Sequence, residues 1–183
     1  MTNFLNMLTV SRILLGIVIF LFLYLHSYYW LALIFFMIAS LTDFLDGYLA
    51  RKTGNTSVLG EILDPIADKL LIVFVLIGLS LNLSSFYVGF FASVIIAREI
   101  WVAALRDYNA RSMRSDRTKV TFLAKIKTTV QMGVISIYLF GLAMNNMMVL
   151  LFADILLLLA FLITLQTGLQ YTCLLYTSDA ADE

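Results

Sequence analysis

Apolar residues fill six long blocks of this chain, and short polar or turn-forming segments separate them. The blocks lie at about 10–25, 28–48, 66–83, 85–105, 128–144 and 147–170. A helix needs ~20 apolar residues, with a range of ~17–25, to cross a membrane. The first block reaches that length only if residues 4–9 extend it. The pattern therefore predicts an all-α integral membrane protein with about six transmembrane helices.

The two ends of the chain differ from this pattern. The segment NFLNMLTVSRILL is interpreted as a short amphipathic helix on the inner leaflet that leads into the first span, with Arg12 at headgroup level. The final CLLYTSDAADE reads like a translated sequencing-library adapter or else a disordered acidic tail. We therefore expect one membrane domain over residues 1–172, followed by a tail at 173–183 that does not belong to it.

Composition and charge support a membrane protein and predict its orientation. Of the 183 residues, 62% are hydrophobic, which exceeds the ~45–50% of soluble domains. The net charge is zero, so it gives no reason to expect a nucleic-acid partner. Lys and Arg are absent from 26–29, 82–85 and 144–147 but frequent at 51–52 and 106–127. The positive-inside rule then places these basic connections and both termini in the cytoplasm, with Tyr28, Tyr29 and Trp30 in an outer aromatic belt.

The candidate chemistry lies in four aspartates between the second and third blocks: Asp43, Asp46, Asp64 and Asp68. Spacings of three and four residues place the two members of each pair on one helical face. Carboxylates at membrane depth are costly and usually face a cavity, pair with cations or bind ions. The cations nearby in the sequence, Arg51, Lys52 and Lys69, leave an acidic surplus. Two such faces turned toward each other predict an oxygen-rich site for divalent metal.

Written as a pattern, the acidic segment is D-x2-D-G-x2-A-R-x8-G-x3-D-x3-D, with Asp43, Asp46, Gly47, Ala50, Arg51, Gly60, Asp64 and Asp68 at its fixed positions. It resembles the signature of the CDP-alcohol phosphotransferases at all eight positions. LTDFLDGYLARK, LGEILDPIADKLL, AREIWVAALR and KIKTTVQM are similar to the bacterial phosphatidylglycerophosphate synthase branch of that family, over residues ~3–172. The resemblance implies transfer of a phosphatidyl group from CDP-diacylglycerol to glycerol 3-phosphate, with release of CMP.

The resemblance also implies roles for individual residues. The four aspartates hold Mg2+ or Mn2+, as two ions, and Asp68 is in addition the general base for the acceptor hydroxyl. The implied contacts of the CDP-lipid are Gly47, Ala50, Arg51, Ser57, Gly60, Asn6 and Thr9. The implied contacts of the acceptor phosphate are Arg98, Arg106, Lys125 and Lys127. A homodimer in the bacterial inner (cytoplasmic) membrane is implied as well, with its active site facing the cytoplasm.

Several alternatives remain open from the residues. Another member of the family would use phosphatidylglycerol, inositol phosphate or serine as the acceptor. A divalent-cation transporter would explain the aspartates but not the small residues and Arg51 at fixed offsets. An inactive structural member would not need the complete aspartate set. The basic residues of the acceptor group also fit contact with inner-leaflet lipids, and Asp154 in the sixth block has no explanation in the sequence.

Overall fold

The computed structural model describes the backbone of residues 2–53, 58–111 and 122–179, and side chains at 7–43, 63, 65–105, 107, 128–170, 172 and 173. The regular structure in these ranges is α-helical. The helices are α1 (Thr2–Tyr24), α2 (Tyr29–Thr53), α3 (Val58–Leu83), α4 (Phe86–Arg111), α5 (Phe122–Ala143) and α6 (Met147–Asp179). The predicted all-α fold class is confirmed, and each apolar block corresponds to one helix.

Over the part of the chain that the structure describes, the helices differ in the length of their apolar stretches. Four stretches are long and apolar enough to cross a membrane: Met7–Tyr24, Pro65–Leu83, Phe86–Leu105 and Met147–Gln170. Two shorter apolar stretches, Tyr29–Asp43 and Thr128–Ala143, lie in α2 and α5. The protein is therefore a multi-pass membrane protein.

The N-terminal segment differs from its prediction. α1 is one continuous helix, not a short surface helix followed by a span. Arg12 is only 1% exposed, so it faces neighbouring helices and not the lipid headgroups. The reason is helical spacing, because Thr9, Arg12, Ile19 and Leu23 are all buried and lie on one face of α1. That face packs into the bundle and carries Arg12 with it.

Tight turns join α1 to α2, α3 to α4 and α5 to α6. His26, Ser84 and Asn145 have φ values of 52°, 47° and 48° in these turns, the left-handed conformation that commonly ends a helix. After α1, the Ser27 N–H donates to the Phe22 carbonyl at 3.1 Å, which satisfies a carbonyl that the helix itself leaves unpaired. These three turns are the connections in which the sequence has no Lys or Arg.

The helices close into a ring. α1 packs against α2 and α3, α3 against α4, α4 against α6, α6 against α5, and α5 back against α2. A smaller contact between α3 and α5 crosses the ring. The apolar core lies inside it, with Phe36, Leu71, Leu79, Tyr138 and Leu157 among its fully buried side chains.

The most extensive interface is between α1 and α3, and two glycines allow close approach there. A Cβ at Gly16 would lie 3.4 Å from Leu71 Cα, and a Cβ at Gly78 would lie 3.0 Å from Leu23 Cδ1. This approach brings the face of α1 that carries Arg12 onto α3.

The C-terminal residues continue α6, whose helical backbone extends through Asp179. The separate origin of residues 173–183 stays a prediction.

Candidate active site

Two buried helix faces lead to two of the signature carboxylates. On α2 the buried face runs through Phe36 and Ala39, and Asp43 follows at the next helical position. On α3, Asp68 lies one turn before the buried Leu71. The periodicity that builds the core therefore also directs these two acids toward the interior of the bundle.

Arg12 of α1 joins the two carboxylates. Its Nη1 donates a hydrogen bond to Asp68 Oδ1 at 2.5 Å, and the same nitrogen lies 3.3 Å from Asp43 Oδ1. One guanidinium from the first helix thus holds acids that the second and third helices contribute.

The exposed fractions show which side of this cluster is open. Asp43 is 33% exposed and Asp68 is 30% exposed, whereas Arg12 is 1% exposed. Arg12 is therefore enclosed by the bundle, whereas each of the two carboxylates keeps an accessible face.

The donor chemistry of the cluster fits a hard divalent cation. Of the side chains that the structure describes in this cluster, two carboxylates against one guanidinium leave a negative balance, and carboxylate oxygens are preferred ligands of Mg2+ and Mn2+. Asp46 lies about one turn along α2 from Asp43, and Asp64 lies one turn before Asp68 in α3, but both side chains lie outside the described residues. Among the side chains that are described, no three acidic, histidine or cysteine residues come together. The predicted four-carboxylate metal site stays a prediction.

The other predicted contacts of the CDP-lipid lie mostly outside the described side chains. Thr9 is described and is buried one turn before Arg12 on the same face of α1. The side chains of Asn6, Gly47, Ala50, Arg51, Ser57 and Gly60 are not among those described. Their roles stay predictions.

Arg98 is the one residue of the predicted acceptor group whose side chain is described. It is 8% exposed, and its Nη2 donates to Thr167 Oγ1 of α6 at 2.7 Å. Its Nη1 lies 3.5 Å from Glu99 Oε1, and its side chain packs against Gly168. This burial between helices argues against lipid contact for Arg98. The side chains of Arg106, Lys125 and Lys127 lie outside the described residues.

Sequence reasoning missed Arg12 as a partner of the aspartates. The cations close to the aspartates in the sequence do not include Arg12, which is 56 positions from Asp68. A signal was nevertheless present, because Arg12 is a lone charge in an apolar helix and shares a face with Gly16, Ile19 and Leu23. A charge on the packing face of a span is expected to find a partner inside the bundle.

Comparison with known proteins then identifies the family. A family model described as CDP-alcohol phosphatidyltransferase matches residues 2–174. The chain belongs to the CDP-alcohol phosphatidyltransferase family. The predicted resemblance is confirmed, and the matched range includes Arg12, Asp43 and Asp68.

Curated relatives within the family bear one name, CDP-diacylglycerol–glycerol-3-phosphate 3-phosphatidyltransferase. A Rickettsia bellii protein is 39% identical over 172 residues, which is 92% of this chain and 93% of the relative. A Haemophilus influenzae protein is 36% identical over 166 residues, or 90% of this chain and 88% of the relative. The match to a Wigglesworthia glossinidia brevipalpis protein is 38% identical over 99 residues and covers 54% of each chain.

Proposed function

We propose that this protein transfers a phosphatidyl group from CDP-diacylglycerol to glycerol 3-phosphate, giving phosphatidylglycerophosphate and CMP. The observation that carries the proposal is the meeting of the two halves of the signature, because Asp43 of α2 and Asp68 of α3 approach the same Arg12 nitrogen. Relatives that cover most of the chain and bear the name of this activity support the choice of substrates.

Asp68 is the proposed general base. Its carboxylate accepts the proton of the acceptor hydroxyl as that oxygen attacks the phosphorus on the lipid side of the pyrophosphate. The bond from this phosphorus to the bridging oxygen breaks, and CMP leaves with that oxygen. Bound Mg2+ or Mn2+, held by Asp43, Asp46, Asp64 and Asp68, would supply charge neutralisation for the phosphate oxygens. Asp43 and Asp68 are partly exposed beside a buried Arg12, so their accessible faces are available for this chemistry.

The acceptor phosphate is proposed to bind near the cytoplasmic parts of α4 and α5, through Arg98, Arg106, Lys125 and Lys127. Arginine is suited to this role because its planar fork of donors matches phosphate oxygens. The hydrogen bond from Arg98 to Thr167 fixes one side of the Arg98 guanidinium. A homodimer remains a prediction from the family resemblance.

A cation transporter is a weaker interpretation of the same residues. A permeation path lined by Asp43 and Asp68 would have the positive charge of Arg12 within 3.3 Å of both carboxylates. Such a charge opposes the passage of a divalent cation, whereas it is compatible with a site that holds anionic substrates.

The proposal is tested by CMP release from purified protein in detergent. The assay contains CDP-diacylglycerol and Mg2+ and offers glycerol 3-phosphate, inositol phosphate, serine or phosphatidylglycerol in separate reactions. We expect release only with glycerol 3-phosphate, and loss of release with EDTA. Release with another acceptor would change the assigned substrate but keep the chemistry. Absence of release with every acceptor, together with metal uptake into liposomes, would favour the transporter.

A further inference from the structure

Arg12 lies outside the signature, yet it contacts two of the signature's acids. It belongs to α1, whereas the signature runs from α2 into α3. Its position on α1 is fixed by packing, because Gly16 on the same helical face packs against α3 and Ile19 on that face is fully buried. The packing of the helices therefore holds the Arg12 side chain in place, unlike a flexible side chain on the surface.

The contacts that Arg12 makes with Asp43 and Asp68 are unequal. The hydrogen bond to Asp68 Oδ1, at 2.5 Å, is the closer contact, and the 3.3 Å separation from Asp43 Oδ1 is a looser ion pair. Both contacts use the same nitrogen, Nη1. The position of that nitrogen therefore constrains one carboxylate relative to the other, although they belong to different helices.

The burial of Arg12 indicates whether it would block a ligand or leave the carboxylates accessible to one. A side chain that filled the accessible face would block a ligand, but Arg12 is almost fully buried while both carboxylates are about one-third exposed. A metal ion or phosphate that reaches the exposed face does not need to displace Arg12. Arginine and ligand then bind opposite sides of the same carboxylates.

We propose that Arg12 is a positioning residue, which fixes the carboxylates of Asp43 and Asp68 from the buried side in the geometry that metal binding and proton transfer require. The inference rests on the proposed function, since it takes these acids as the reactive site. An arginine that acts only as a buried counter-ion would make a different contribution. It would neutralise charge and oppose metal binding, without any demand on the positions of the oxygens.

The sign of the change in metal affinity separates the two roles. The measurement is Mn2+ binding to the full chain in detergent, followed by the EPR signal of free Mn2+, in the wild type and in Arg12→Met. Loss of positioning weakens Mn2+ binding, by about 10- to 100-fold for groups that orient metal ligands. Loss of a mere counter-ion removes a repulsive charge and tightens binding. We expect weaker binding, with a fall in kcat and little change in KM for CDP-diacylglycerol. Unchanged or tighter Mn2+ binding would overturn the inference.

A second variant covers the case in which Arg12→Met does not fold. Arg12→Lys keeps the positive charge, but its shorter side chain does not bring a nitrogen to the position of Nη1, which contacts both acids. Positioning predicts weaker Mn2+ binding in this variant as well, and a counter-ion role predicts wild-type binding. Tyr138→Phe is the matched control, because it removes a buried hydrogen bond elsewhere in the bundle. It should lower thermal stability and leave Mn2+ affinity unchanged.

The wild-type protein distinguishes failure of the inference from failure of the proposed function. A wild type that binds Mn2+ and releases CMP, beside Arg12 variants with undiminished Mn2+ affinity, would reject the role of Arg12 alone. A wild type that neither binds Mn2+ nor releases CMP would reject the proposed function, and the inference with it.

Discussion

Polar side chains inside this bundle have partners on other helices. Asp154 of α6, which the sequence leaves unexplained, accepts a hydrogen bond at 2.5 Å from the hydroxyl of Tyr138 in α5. The Tyr87 hydroxyl of α4 donates to the Asp154 backbone carbonyl at 3.1 Å. An intramembrane carboxylate is costly unless it is hydrogen-bonded. Asp154 therefore has a structural explanation in the contact among these three helices.

Asp68→Asn is predicted to abolish turnover. The amide keeps the size of the side chain but cannot accept the acceptor's proton, and general-base catalysis contributes about 100- to 10,000-fold to a rate. CMP release should fall by at least that factor, while binding of CDP-diacylglycerol stays close to wild type. The melting temperature should fall, because the buried Arg12 loses the charge of its nearer acidic partner. Asp154→Asn is the matched control, because it makes the same change away from the site and should keep specific activity. Near-normal turnover in Asp68→Asn would remove Asp68 from the base role.

Thr167→Val is predicted to weaken use of the acceptor. The substitution preserves the shape of the side chain and removes the oxygen that receives the Arg98 hydrogen bond at 2.7 Å. Because hydrogen bonds to charged groups contribute about 1.5–3 kcal/mol, the KM for glycerol 3-phosphate should rise at least about tenfold. The KM for CDP-diacylglycerol should not change. Thr164→Val is the control, since Thr164 receives its side-chain hydrogen bond from Gln131. An effect on CDP-diacylglycerol alone would contradict the placement of Arg98 in the acceptor pocket.

At the scale of helices, the contact between α1 and α3 sets the position of Arg12. Gly16 lies one turn after Arg12, and a Cβ there would already be 3.4 Å from Leu71 Cα. Gly133 of α5 has open space, with nothing within 4 Å of a Cβ. The two glycines therefore form a matched pair for testing this packing.

Gly16→Leu is predicted to destabilise the bundle, and Gly133→Leu is predicted to be tolerated. The larger side chain at Gly16 forces α1 away from α3, and overpacking of this kind costs about 1–3 kcal/mol. The measurements are the melting temperature in detergent and the CMP release of the folded fraction. Both should fall for Gly16→Leu because the shift also moves Arg12 relative to Asp68. Equal melting temperatures for the two variants would show that this contact does not determine the stability of the bundle.

The helices themselves could be predicted from the sequence, but their partners could not. Apolar length marks each helix because a membrane span needs a minimum run of apolar residues. The bond from Arg12 to Asp68 and the bond from Tyr138 to Asp154 join different helices, and nothing in the local pattern specifies which helices are neighbours. The signature fixed the identity of the acids through its spacing. The location of Arg12 beside them followed only from the packing of α1 on α3.

At the scale of the whole molecule, the connections between helices differ in charge between the two ends of the bundle. The turns after α1, α3 and α5 carry no Lys or Arg, whereas Arg51 and Lys52 lie in the last turn of α2 and basic residues continue after α4. A soluble acceptor such as glycerol 3-phosphate is available in the cytoplasm. The proposed orientation therefore places the carboxylates near the cytoplasmic side and the uncharged turns outside.

This orientation predicts which positions a membrane-impermeant maleimide labels in intact cells. Cys173 is the only cysteine of the chain, so Cys173→Ser provides a background without thiols. In that background, Met144→Cys lies in the exposed turn after α5, and Asp107→Cys lies near the exposed end of α4. Met144→Cys should be labelled in intact cells, and Asp107→Cys only after the membrane is permeabilised, because the positive-inside rule keeps the basic connections in the cytoplasm. CMP release by both variants confirms that the labelled proteins are folded. The reverse labelling pattern would mean that the protein has the opposite orientation in the membrane, with the carboxylates on the side away from the soluble acceptor. That result would contradict the proposed orientation and require a different acceptor.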